Sequence, residues 1–158
     1  MKLHTSLLGL VTLWCVSGAA TADSLADTRR ALETRYQQMN RAYERKDIAS
    51  IEKLFSPKSK FKQRSEGLIA NKTQFIYGTK GLLASTTIKR SNTKIVKLKP
   101  AKGGYEATVV WSGESAMTKD PRTWKNIAPK LRKTEQTMRD MWEKTANGWQ
   151  ITSRLIDD

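Results

Sequence analysis

Apolar residues recur along the first half of the chain with the period of a helix. Leu25, Arg29, Leu32, Tyr36, Met39 and Tyr43 follow one another at spacings of four, three, four, three and four. They form one stripe, apolar except at Arg29, and predict a helix from Leu25 to about Lys46. Ser24 stands where an N-cap is wanted, with Asp27 in the place of the usual capping-box glutamate. Asp47 caps a second, short helix over Ile48–Phe55, and Ser56-Pro57 ends it. Lys58 to Arg64 then alternates, which predicts a strand. Lys58, Lys60, Lys62 and Arg64 share its solvated face, and Phe61 points inward. Gly67 breaks the run, and Asn71 or Thr73 caps a third helix through Phe75, Ile76, Leu82 and Leu83.

The second half changes period. Thr86–Lys99 is a strand with Ile88, Val96 and Leu98 on one parity. Pro100 to Gly104 is a turn. Tyr105–Met117 carries Tyr105, Ala107, Val109 and Trp111 on one face, and Thr118–Lys130 is a loop. The strand Leu131–Glu143 and the run Trp149–Ile156 flank Asn147-Gly148, a strong hairpin signal. With Asn147-Gly148 as the two-residue turn, paired positions sum to 295, so Trp142 faces Ser153 and Asp140 faces Leu155. Met138, Asp140, Trp142, Trp149, Ile151, Ser153 and Leu155 then share a mostly apolar, concave face. Arg139, Met141, Arg154 and Ile156 lie on the other. Helices first and a meander after predict an α+β fold, with three helices packed on a curved antiparallel sheet.

Ahead of the first helix lies a different kind of segment. Lys2, the apolar stretch Leu7–Val16 and Ala20-Thr21-Ala22 read as a secretory signal peptide over residues 1–22, cleaved near Ala22. Residues 23–158 are then a single exported domain, periplasmic or extracellular. Cleavage removes the chain's one cysteine, Cys15, and its one histidine, His4. Thiol and imidazole nucleophiles leave with them, as do the ligands of an ordinary zinc site. No metal and no cofactor is expected. Of 29 basic residues 28 remain, against 15 acidic, a net charge of +13. That balance favours anionic surfaces or acidic proteins. No nucleic-acid motif accompanies it.

The closing block, Arg139-Asp140-Met141-Trp142 followed by Ala146-Asn147-Gly148-Trp149-Gln150-Ile151, resembles the last hairpin of the nuclear transport factor 2-like superfamily. SnoaL-like and ketosteroid-isomerase-like proteins belong to that superfamily. The stretch Tyr36–Ile51 with Ala42 and Asp47, and Gly67 before the third helix, carry the resemblance through the domain. It implies a cone with a pocket between the long helix and the concave sheet, and a homodimer through the convex side. Enzymes of this kind pair a helix tyrosine with a sheet acid and a separate carboxylate base. Tyr36 or Tyr43, with Asp140, match the first two in kind. Lys58 to Arg64 offers no base, Glu66 being the nearest carboxylate, so the catalytic set is incomplete.

Two readings stand for each candidate. Asp140 is either a pocket acid or a buried carboxylate paired with Arg29, Tyr36 or Tyr43. Tyr36, Tyr43, Trp111, Met138, Asp140, Trp142 and Trp149 either line a ligand cavity or fill a core. Lys58, Lys60, Lys62 and Arg64, with Arg122 and Lys125 around Trp124, form either an anion-binding surface or a solvated basic face. The expectation is a non-enzymatic domain that binds a small apolar or amphipathic ligand in the cone, or an anionic partner outside it. The alternative is a cofactor-free isomerase or cyclase using Asp140 and a tyrosine of the first helix.

Overall fold

A computed structural model describes residues 24–157 except Glu66 and Pro121. The expected signal segment, with Cys15 and His4, lies outside the described residues. Three helices cover one face of a six-stranded sheet ordered β2-β1-β6-β5-β4-β3. Helix α1 spans Leu25–Glu44, α2 Ile48–Lys53 and α3 Lys72–Ser85; the strands are β1 Phe55–Gln63, β2 Ile69–Asn71, β3 Thr86–Ala101, β4 Gly104–Lys119, β5 Asn126–Thr145 and β6 Gly148–Asp157. The pairing is antiparallel except that β1 runs parallel to β6.

Local chemistry fixes the helix starts. Ser24, Asp47 and Asn71 each accept a backbone N–H three residues on. Asn71 and Gln74 complete a reciprocal capping box. Helix α2 is shorter than the sequence predicts, because Phe55 already begins β1. From α1, Leu32, Tyr36, Met39 and Ala42 are buried against the sheet. Four polar ties hold α1 to β3: Arg29 to the Ile95 carbonyl, Thr93 to Asn40, and Ser91 to both Asn40 and Glu44.

Strand parity departs from the sequence expectation wherever a bulge adds a residue. Strand β3 is bulged between Ile88 and Arg90 and again between Ile95 and Lys97. The first bulge turns Ser91, Thr93 and Ile95 toward α1; the second makes Val96, expected inside, the extra residue, 50% exposed, and returns Leu98 to the core. In the last hairpin the turn residues are Ala146 and Asn147, with Thr145 opposite Gly148. Gly148 takes the left-handed conformation (φ 86°), as a G1 bulge after a type I turn requires. A further bulge follows: Trp142 pairs with Ile151, but Met141 pairs with Ser153, so Thr152 is the extra residue. Beyond it the expected faces are exchanged. Arg154, expected outside, is buried, and Leu155 stands opposite Arg139 on the convex side.

The expected loop over Thr118–Lys130 is mostly strand, with β4 reaching Lys119 and β5 starting at Asn126. The outer half of β5 forms an arm alongside β4, and its residues Asn126 to Glu135 are exposed on both faces. Strand β6 reaches only Thr137 of β5, so the remainder of that edge has no partner strand among the described residues.

Candidate functional site

Tyr36 of α1, Asp140 and Trp142 of β5 and Arg154 of β6 meet at the floor of the cone. Asp140 is 0% and Arg154 4% exposed. Arg154 grips the carboxylate with both arms of its fork, Nε to Oδ1 at 2.8 Å and Nη2 to Oδ2 at 2.7 Å. The Tyr36 hydroxyl donates to Asp140 Oδ2 at 2.7 Å and accepts from the Trp142 indole N–H at 2.8 Å. Arg154 Nη2 also approaches Met39 Sδ at 3.5 Å, and the guanidinium lies over the Phe55 ring. Asp140 thus takes its cation from the bulged strand, with Tyr36 as the second partner. Arg29 is elsewhere, on the Ile95 carbonyl and Glu33.

Burial is the main reason the Tyr36 phenol is pushed well above the usual tyrosine range. The Asp140 charge adds to the rise, and Arg154 opposes it. For Arg154, burial alone works downward, but the charge and hydrogen bonds of Asp140 outweigh it and raise the guanidinium. This floor is poorly suited to proton transfer. The Tyr36 proton is committed to Asp140, and both carboxylate oxygens are occupied.

Above the floor the cone opens into a cavity of about 230 Å³. Its wall includes Met39, Tyr43, Phe75, Trp111, Met138 and Arg154. Gly113 makes room for the Trp111 indole, since a Cβ there would meet the ring at 2.5 Å. Burial raises the Tyr43 phenol, while the Arg154 charge and a hydrogen bond with Thr79 lower it in part. Of the seven residues expected around a ligand, Tyr43, Trp111 and Met138 line this cavity. Tyr36, Asp140 and Trp142 form the floor network, and Trp149 packs edge-on against Tyr105 at 5.8 Å. Arg154, Phe75 and Thr79 were not foreseen as lining. The signal for Arg154 was Asp140 itself, because an acid on an apolar face needs a cation.

The basic residues fall into two separate places. Lys58, Lys60 and Lys62 are exposed on β1, and Arg64 pairs with Asp157 at 3.1 Å. Arg122 and Lys125 lie in the loop at the arm's tip, beside Trp124. Asn126 lies eleven positions along β5 from Thr137, the position paired with Asp157, which is about 35 Å of strand. The β1 row continues instead across the convex face: Lys62 is opposite Leu155, Leu155 opposite Arg139, Arg139 opposite Thr108 and Thr108 opposite Lys97.

The cone matches solved structures over most of its length. A conserved protein from Planctomyces limnophilus superposes with a TM-score of 0.66 at 13% identity, covering 82% of this chain and 94% of that one. A ketosteroid isomerase-like protein from Erwinia carotovora atroseptica gives 0.62 at 11%, covering 83% and 95%. A nuclear transport factor 2-like superfamily protein from Salmonella enterica gives 0.60 at 13%, covering 83% and 90%.

The fold is nuclear transport factor 2-like.

At these identities the likeness concerns the fold alone. No family model and no curated sequence matches the chain. Within this nuclear transport factor 2-like cone, no cluster of metal-binding side chains occurs among the described residues. Nor is any described helix long and apolar enough to cross a membrane.

Proposed function

We propose that the protein binds a small apolar or amphipathic molecule in the mouth of the cone and does no chemistry on it. The cavity carries this reading: an apolar, aromatic-walled space with a few polar groups has the composition of a ligand site. The committed state of Tyr36 and Asp140 speaks against the isomerase or cyclase alternative. Export after cleavage near Ala22 belongs to the same proposal. Native mass spectrometry of the protein purified from its own host tests both. A chain beginning at Asp23 with a bound small molecule is expected, and a Leu82→Trp variant, with its rim closed, should lose the adduct. An intact N-terminus would refute export. An adduct untouched by Leu82→Trp would move the ligand elsewhere.

A second reading rests on the convex face. Lys60, Lys62, Lys94 and Lys97 stand there with Arg139, and the net sign is positive. A homodimer through this face would set those cations against their copies. An anionic partner matches them. Retention on an anionic resin that falls when Lys60, Lys62 and Lys97 become glutamine is the expected result.

A further inference from the structure

Arg154 is a buried cation with its charge already answered, yet with donors to spare. Its Nε and Nη2 are used on Asp140 and Met39. Its Nη1, which carries two further N–H groups, has no hydrogen-bond partner among the described residues. The side-chain oxygens sealed from solvent without a hydrogen bond are those of Thr28, Thr86 and Asp157, all elsewhere. Nη1 is not among such atoms, and Arg154 lines the cavity. Arg154 is 4% exposed and belongs to the cavity wall, so the cavity is the open space beside its guanidinium.

From this geometry we infer that the cone selects a neutral, acceptor-bearing ligand, with a carbonyl oxygen seated on Arg154 Nη1 and an apolar ring system between Trp111, Phe75 and Met138. The inference rests on the cone being a ligand site. Charge decides the class. Asp140 already balances the guanidinium, so a carboxylate ligand would bring an uncompensated charge into an apolar cavity, next to the Asp140 carboxylate. A ketone, ester or quinone brings none, and it accepts a hydrogen bond from an ionised donor, the stronger kind. A pure hydrocarbon fills the same space but leaves Nη1 without an acceptor.

Three probes of nearly one shape separate these cases: 2-acetylnaphthalene, 2-naphthoate and 2-ethylnaphthalene. Binding is measured by calorimetry on the mature chain, each affinity referred to that probe's own transfer from water to octanol. The ketone should exceed both others by about tenfold, the worth of one charge-assisted hydrogen bond. In the double variant Asp140→Leu/Arg154→Met, with the pair replaced by apolar side chains of similar length, the ketone's advantage over the hydrocarbon should vanish while both still bind. Equal ketone and hydrocarbon binding in the wild type would overturn the role of Arg154 and leave the cone reading intact. Tightest binding of the carboxylate would overturn the neutral class. Retention of the ketone preference in the double variant would overturn the seat on Arg154. Failure of all three probes to bind, or binding unaffected by Leu82→Trp, would remove the cone reading and the inference with it.

Discussion

At the floor of the cone, Tyr36, Asp140, Trp142 and Arg154 answer one another's polar groups almost completely. A few ångströms higher, α1, β5 and β6 also help to line the cavity, and there Arg154 keeps an unspent donor. The floor is specified by electrostatics and tolerates no missing member. The mouth is specified by shape and should tolerate much. A residue type therefore says little about function here: Asp140, the one acid expected to act, is the most fully occupied group in the cone.

The sharpest way to break that contrast is Asp140→Asn. It strands the buried Arg154 charge and should cost about 3–5 kcal/mol, read as a lower urea midpoint. Replacing both partners, Asp140→Leu with Arg154→Met, should recover most of that loss, short of the cost of leaving the buried Tyr36 O–H without its acceptor. A double variant as unstable as the single one would show that the pair holds the floor together by more than mutual compensation. Tyr36→Phe leaves the Trp142 N–H without its acceptor and removes one donor from Asp140, at about 1–3 kcal/mol.

Alkali probes floor and wall together. The folded chain holds the Tyr36 and Tyr43 protons above the ordinary tyrosine value. The unfolded chain therefore releases protons first as pH rises. Stability from these groups is intact below pH about 10 and is lost as pH climbs toward the folded values. Tyrosinate absorbance from this pair should appear together with unfolding, not before it. Away from the cone, Asn71→Ala removes the α3 cap and should cost about 1 kcal/mol by thermal melting, without changing ligand affinity.

How much of this was legible in the sequence follows the same division. The caps Ser24 and Asp47, the third cap as one of Asn71 and Thr73, and the inward parity of Ala107, Val109 and Trp111 depend on neighbours within a few residues, and they could be read. The bulges in β3 and at Thr152 could not. A period-two reading assumes an unbroken strand, and one inserted residue exchanges every face beyond it. Arg154 was lost for that reason. The outer half of β5 was lost because Ala128-Pro129 looks like a loop, whereas pairing with β4 holds it extended. Nothing in the residues of β1 announces that its partner is β6, running parallel. Whether the mouth is hollow depends on how all these pieces meet.

The arm has a consequence for the behaviour of many copies together. From Asn126 to Gln136, β5 offers one backbone edge to no neighbouring strand among the described residues. Free edges of that length are templates on which chains recruit one another into aggregates. Pro129 interrupts this edge, and Lys130, Arg132 and Lys133 set like charge against any incoming copy. The surplus of cations is thus also a colloidal safeguard. Polyanions or lysine acetylation, by cancelling it, would expose the edge to self-association.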